Sequence, residues 1–190
     1  MVEIIFKCAI IRIGDDMEFR DVLESRRSIR KFTTETIGDE VLVEAIRYAT
    51  LAPSAHNRQP WKFKIVSGEE KAKIAAALIE KTKDIVGHTG VHTAGIINDA
   101  PSLIVVFIDN QISENRDMDI LSIGGAIENM ILSLNDMGLG SVWIANTNLI
   151  AEEISEILNV ELETVSSIAI GKPDQSPKPR PRKNLEDIVL

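Results

Sequence analysis

Apolar positions in this chain follow two periods that take turns along its length. Residues 17–28 place Phe19, Val22 and Leu23 at helical spacing. IGDEVLVEAIRYAT repeats Leu42, Ala45, Ile46 and Ala49; it opens at Gly38 or Asp39 and stops before Pro53. WKFKIV, 61–66, alternates as an edge strand does, and SGEEKAKIAAALIEKTKDIV reads as a helix starting at Ser67. PSLIVVFID, 101–109, is an unbroken apolar run of the kind a strand buried on both faces carries. The longest helical pattern runs from Ile120 to Gly138, with Leu121, Ala126, Ile127, Met130, Ile131 and Leu134 spread around much of its girth. Within it, Gly124 and Gly125 each cost about 1 kcal/mol of helix propensity, which close contact with another backbone or a flat ligand can offset. GLGSVWIA reads as a turn into a buried strand, 149–159 as a helix and TVSSIAIG as a strand. Residues 87–99 fit neither period, and QISENRDMD reads as a polar connection. Helices and strands interleave without separating, so the pattern predicts one α+β domain with a mixed or antiparallel central sheet. That domain spans 19–190, including a basic C-terminal tail, after an N-terminal strand or arm over 1–18.

Composition narrows the choice of partners. The 190 residues suit a single domain. Twenty-one Lys plus Arg against 29 Asp plus Glu give a formal charge of −8, which argues against nucleic acid but leaves room for a local anion site. Cys8 is alone, so it forms no internal disulfide and reads as a packing residue. No run approaches the ~20 apolar residues that span a bilayer. The apolar first eleven residues are short, carry Glu3 and Lys7, and show no clear cleavage site. These features read as a cytoplasmic protein with no membrane partner.

Three stretches carry unusual chemistry. ESRRSIRKF gathers Arg26, Arg27, Ser28 and Arg30; guanidinium forks and a hydroxyl suit a phosphate monoester, while a solvated basic helix end is the plain alternative. LAPSAHNRQPW, 51–61, holds Asn57 and Gln59, whose amides donate and accept as a heteroaromatic ring edge requires. Pro53 and Pro60 restrict that backbone and Trp61 can anchor it; the alternative is a structural turn whose amides satisfy its own backbone. His56 reads as an orienting or exposed residue rather than a base, and Arg58 as a surface charge. In the tail, Lys178, Arg180, Arg182 and Lys183 alternate with prolines, as in an extended solvated linker or a second contribution to an anion site. The apolar LEDIVL that follows needs burial on this chain or a second subunit. No Walker A, GxGxxG or GxSxG pattern is present, and His56, His88 and His92 have poor spacing for a metal.

Taken together, RRSIRKF at 26–32, APSAHNRQPWKF at 52–63, NDAPSLIVV at 98–106, GGAIENMILSLNDMGLGSVWI at 124–144 and AIGKPDQSPKPRPRK at 169–183 resemble the nitroreductase family of flavoproteins. The resemblance covers nearly everything from Phe19 onward. It implies a mixed sheet surrounded by helices and an intertwined homodimer with FMN at the subunit interface. It further implies that Arg26, Arg27, Ser28 and Arg30 hold the phosphate and ribityl side, and that Arg182 and Arg180 close over the phosphate. Pro53, Ser54, Ala55 and Asn57 would approach the flavin from the partner subunit. Ala145 and Asn146 would lie near the ring's N5 edge; the family often has glycine where this chain has Asn146. Ser122 stands near a place where the family often has an acidic residue, and no role is assigned to it. The implied activity is an NAD(P)H-dependent FMN oxidoreductase acting on a nitroaromatic, quinone or similar electron-poor acceptor. Dehalogenation, heterocycle oxidation and flavin binding without catalysis are the alternatives. No side-chain catalyst is required, because the cofactor carries the electron chemistry. Arg58 and Arg116 are candidates for a pocket rim that selects NADPH.

Overall fold

The structure, a computed structural model, describes residues 18–190. The arm expected over 1–18, Cys8 included, lies outside the described residues except for Glu18, which precedes the first helix. The elements are α1 (Phe19–Ser25), α2 (Asp39–Ala49), β1 (Trp61–Val66), α3 (Gly68–Thr82), α4 (Gly90–Asp99), β2 (Ser102–Ile108), α5 (Arg116–Asp136), β3 (Gly140–Ile144), α6 (Ala151–Leu158) and β4 (Glu163–Gly171). Short 3₁₀ turns occupy Ala55–Asn57, Ala145–Ile150 and Leu185–Asp187.

The strands lie in the order β1–β2–β4–β3, and each neighbouring pair is antiparallel. A parallel bridge from Ser28 to Ser141 on the free side of β3 makes the pairing mixed. β2 is buried along its whole length, as its unbroken apolar run requires. Leu103, Val105 and Phe107 face a core with Ile74 and Leu78 of α3, Ile97 of α4 and Ile154 of α6. Ile104, Val106 and Ile108 face a second core with Leu42 of α2 and Ile123, Ile127 and Met130 of α5. Helices therefore cover both faces of the sheet. Each such side chain contributes about 1.5–3 kcal/mol relative to leaving it in water.

Three helices depart from the sequence pattern. α4 forms within the stretch that matched neither period. Its first residue, Gly90, donates its N–H to His88 Nδ1 at 2.9 Å. A Cβ there would stand 1.8 Å from Thr82 Oγ1, so the bare backbone lets α4 start directly against the end of α3. Its other end is tied by Lys71, whose Nζ donates to the carbonyls of Asn98 (3.2 Å) and Ala100. α5 starts four residues before Ile120, because Asn115 caps it by accepting the Met118 N–H at 3.1 Å and Asp117 and Asp119 complement the first turn. In α1 only Val22 is buried; Phe19 and Leu23 are exposed, and so is Leu121 of α5 at 77%. Those positions belong to an apolar face that the described residues leave exposed.

Candidate functional site

The basic segment is fixed by the sheet. The Arg26 N–H donates to the Val22 carbonyl and ends α1. Residues 28–33 then run along β3 and past the end of β4. The Ile29 N–H donates to Ser141 O at 2.9 Å, the Thr33 N–H to Lys172 O at 3.0 Å and the Asp174 N–H to Lys31 O at 3.0 Å. Two glycines make the fit possible. Gly140 and Gly171 stand opposite each other in the β3–β4 register. A Cβ on Gly140 would lie 2.8 Å from Ile29 Cγ2, and one on Gly171 would lie 2.6 Å from Pro101 Cδ and 2.9 Å from Phe32 Cδ1. Ile29 and Phe32 thus settle over a notch in the sheet, and the arginines beside them are placed by that seat.

Arg27 Nη1 donates to the carbonyls of Glu24 (2.6 Å) and Arg26 (2.7 Å), which would otherwise be orphaned at the end of α1. Its Nε is buried without a partner. Arg30 donates to Ser28 O at 3.3 Å, and its side chain lines a cleft of about 240 Å³. Thr89, His92 and Thr93 form one side of this cleft, and Trp143, Ala145 and Asn146 another. The Asn146 side chain donates to Thr89 Oγ1 (3.2 Å) and Thr93 Oγ1 (3.5 Å), so its amide is engaged with α4 and its neighbourhood. His92, weighed in the sequence only as a metal ligand, belongs to this cleft. Among the described residues no group of three His, Cys, Asp or Glu side chains is arranged to hold a metal ion.

The loop after α2 is a separate feature. His56, Asn57 and Gln59 have φ of 52°, 54° and 51°, the left-handed region that non-glycine residues seldom occupy. Local bonds hold them: the Asn57 N–H donates to Ser54 O at 2.9 Å, the Arg58 N–H to Ala55 O at 3.1 Å and the Gln59 N–H to Ser54 Oγ at 3.0 Å. Gln59 Nε2 also donates to Asn57 Oδ1 at 3.4 Å. The two amides therefore meet each other, and Ser54 turns its hydroxyl into the loop. Trp61 and Pro60 are buried and anchor the segment as expected. Ser122, which had no assigned role, accepts the Ala55 N–H at 3.4 Å and donates to Met118 O at 2.9 Å.

Arg58 is not a surface or rim charge. Its Nη2 and Nε donate to Asp119 Oδ1 at 3.0 and 3.3 Å, and Nη1 reaches Glu114 Oε2 at 3.5 Å. Ser113 Oγ donates to Asp119 Oδ2 at 2.8 Å. The Arg58 side chain is 10% exposed and that of Asp119 is fully buried. Removing one partner of such a pair costs about 3–5 kcal/mol. Burial by itself would raise the Asp119 pKa, but the Ser113 hydroxyl, the Arg58 guanidinium and the Asn115 backbone outweigh it and hold the carboxyl below its ordinary 3.8. The depressed value fixes the sign of the linkage: the contribution is whole above pH 3.8 and is lost as pH falls through the native value. Melting measured from pH 6 down to pH 2.5 is therefore expected to steepen below about pH 4 in the parent protein, and to do so less in Asp119→Asn. Equal slopes would remove Asp119 as the titrating group. Arg116, the other rim candidate, is engaged by Glu163 at 2.5 Å on the exposed end of α5.

Two further parts lie apart from the cleft. Lys178, Arg180, Arg182 and Lys183 are exposed, and Leu185, Ile188, Val189 and Leu190 after them are exposed as well. The described residues therefore do not bury LEDIVL. Between the cleft and the 52–59 loop runs α5. A Cβ on Gly124 would meet Trp143 at 3.8 Å and one on Gly125 would meet Ala52 at 3.8 Å, both ordinary contacts. The packing of the described residues thus accepts a methyl group at either glycine, and they do not make the close backbone approach expected there.

Comparison with known proteins agrees with this geometry. The sequence profile of the nitroreductase family matches residues 23–172. A Bacillus subtilis protein assigned as the NAD(P)H nitroreductase YfhC is 30% identical over 176 residues, 88% of this chain and 91% of its own length. An iodotyrosine deiodinase of Thermotoga neapolitana is 28% identical over 179 residues, 86% of this chain and 92% of its own. A Desulfovibrio desulfuricans protein assigned as a nitroreductase and crystallised with FMN superposes with a TM-score of 0.80 at 25% identity, covering 93% of this chain and 97% of that one. With the arginine segment, the cleft and the 52–59 loop all falling inside the matched region, the chain belongs to the nitroreductase family.

Proposed function

We propose that the chain is an FMN-dependent oxidoreductase that works as a homodimer and uses NAD(P)H to reduce a nitroaromatic, quinone or similar electron-poor acceptor. The observation that carries the reading is a division of labour. Arg30, Ala145 and Asn146 share one cleft, while the 53–57 loop and the Arg180–Arg182 tail lie elsewhere on the same chain. A second copy supplies the missing walls, and the exposed Met118 and Leu121 of α5 and the exposed apolar tail give it a surface to cover.

The residues present suit FMN. Arg27 has an orphaned buried Nε, and Arg26, Arg27 and Arg30 have no carboxylate partner among the described residues, so guanidinium donors remain for a phosphate. Ser28 and the tail residues Arg180 and Arg182 complete that end. Trp143 and its neighbours Val142 and Ile144 line the cleft with apolar surface suited to a flat ring. When bound, FMN supplies the two-electron chemistry. The chain's part is to bind the phosphate, to present the Ala145–Asn146 backbone near the ring and to bring Pro53, Ser54, Ala55 and Asn57 against it from the partner. His56 is exposed in its left-handed turn and is given no proton-transfer role.

The test is the visible spectrum of the purified protein under anaerobic conditions. Bound flavin is expected to bleach on addition of NADH or NADPH and to recover on addition of a quinone or nitroaromatic. A protein that neither contains nor takes up FMN refutes the proposal. The likeness to the iodotyrosine deiodinase favours one second reading, reductive dehalogenation. Flavin that resists both nicotinamides yet, once reduced by dithionite, is reoxidised by a halogenated phenol with halide release would select it.

A further inference from the structure

We infer that Arg58 and Asp119 form a clip that holds residues 54–59 in the turn, left-handed at His56, Asn57 and Gln59, with which this loop meets the flavin. The inference rests on the reading that Pro53–Asn57 approaches that cofactor. Left-handed backbone at three non-glycine residues persists only where the surroundings over-determine it. Arg58 is the residue between them that keeps right-handed backbone (φ −66°, ψ −26°), and its side chain turns inward while His56, Asn57 and Gln59 stay exposed.

The two anchor points come from one helix. Asp119 takes Arg58 at the end of the loop, and Ser122 takes the Ala55 N–H at its beginning. These positions are three residues apart on α5 and share a face. Ser113 fixes the remaining oxygen of Asp119. Exposed ion pairs contribute little, but this one is buried and doubly hydrogen-bonded, with a separation of 61 residues. Asp119 does not line the cleft, so its influence on the cofactor passes through loop geometry. Arg58 and Asp119 are positioning residues in this scheme.

The experiment compares the parent protein with Arg58→Met, Ser113→Ala and, as a control, Arg116→Met. Arg116→Met breaks an exposed ion pair on the same helix without touching the loop. Amide hydrogen exchange is measured over 54–59 in flavin-free protein, together with FMN affinity and the visible circular dichroism of the bound flavin. Arg58→Met is expected to speed exchange in the loop, to weaken FMN about 10–100-fold and to change the flavin dichroism. Ser113→Ala is expected to move the same readouts by about two- to fivefold, as loss of one hydrogen bond implies. Arg116→Met should stay within about twofold of the parent, as for an exposed pair. Parent-like exchange and FMN affinity in Arg58→Met overturn the clip; should that variant not fold, Ser113→Ala decides in the same way. If the parent itself takes up no FMN, the flavin reading fails and the exchange data alone judge the clip.

Discussion

Gly140→Val is expected to weaken FMN binding about 10–100-fold, as misplacement of a binding group does, while costing about 1–3 kcal/mol of stability, as core overpacking does. Gly140 is the floor on which Ile29 rests, with Ile29 atoms only 2.8–3.0 Å from a would-be Cβ. Ile29 is β-branched and its N–H is bonded to Ser141 O, so it has little freedom to step aside. The displacement must pass to Ser28 and Arg30 on either side. Gly95→Ala is the matched control: its Cβ meets nothing within 4 Å, and it sits inside α4, where alanine improves helix propensity by about 1 kcal/mol. FMN titration and urea unfolding on both variants separate the two effects. Unchanged FMN affinity in a destabilised Gly140→Val would mean that the arginines do not depend on this seat.

Leu121→Arg is expected to convert the proposed dimer into a monomer that retains its secondary structure and holds FMN poorly. Leu121 is 77% exposed on α5, one turn before Gly124 and Gly125, with Met118 exposed one turn earlier. Charged side chains are depleted at the centres of interfaces, where an unpaired charge loses its hydration. Sedimentation and flavin content, read together, test the idea. A flavin-loaded Leu121→Arg dimer would place the interface away from this face of α5.

Much of the architecture was legible because burial leaves a simple trace. WKFKIV and PSLIVVFID mark an edge strand and a central strand, and both formed where the pattern put them. Features decided by contacts distant in sequence were not legible. α4 depends on Gly90 meeting Thr82, a fit that no local period records. Leu121 read only as one of the apolar positions around its helix, because helical spacing does not reveal which of them the chain's own core leaves exposed. GLGS read as a turn and Gly171 as the end of a strand, and neither reading shows that the register sets Gly140 against Gly171. Arg58 was misread because its carboxylate partner lies on the far side of two strands in sequence, so a polar loop seemed its natural surroundings. The arginines stood out by their chemistry, whereas Ala145 and Asn146 rested on resemblance; the cleft gathers Arg30 with the latter two, and the tail does not line it.

The segment over 28–33 also closes the sheet. Among the described residues β1 ends the sheet on one side and carries Lys62 and Lys64, charges that discourage another strand from adding there. β3 ends it on the other side, where Ser28 and Ile29 already occupy the bonding groups of Ser141. The residues that seat the arginines are thus also the guard against edge-to-edge aggregation. A variant that loosens them would fail twice, first by losing its cofactor and then by exposing a strand that other unfolding chains can extend.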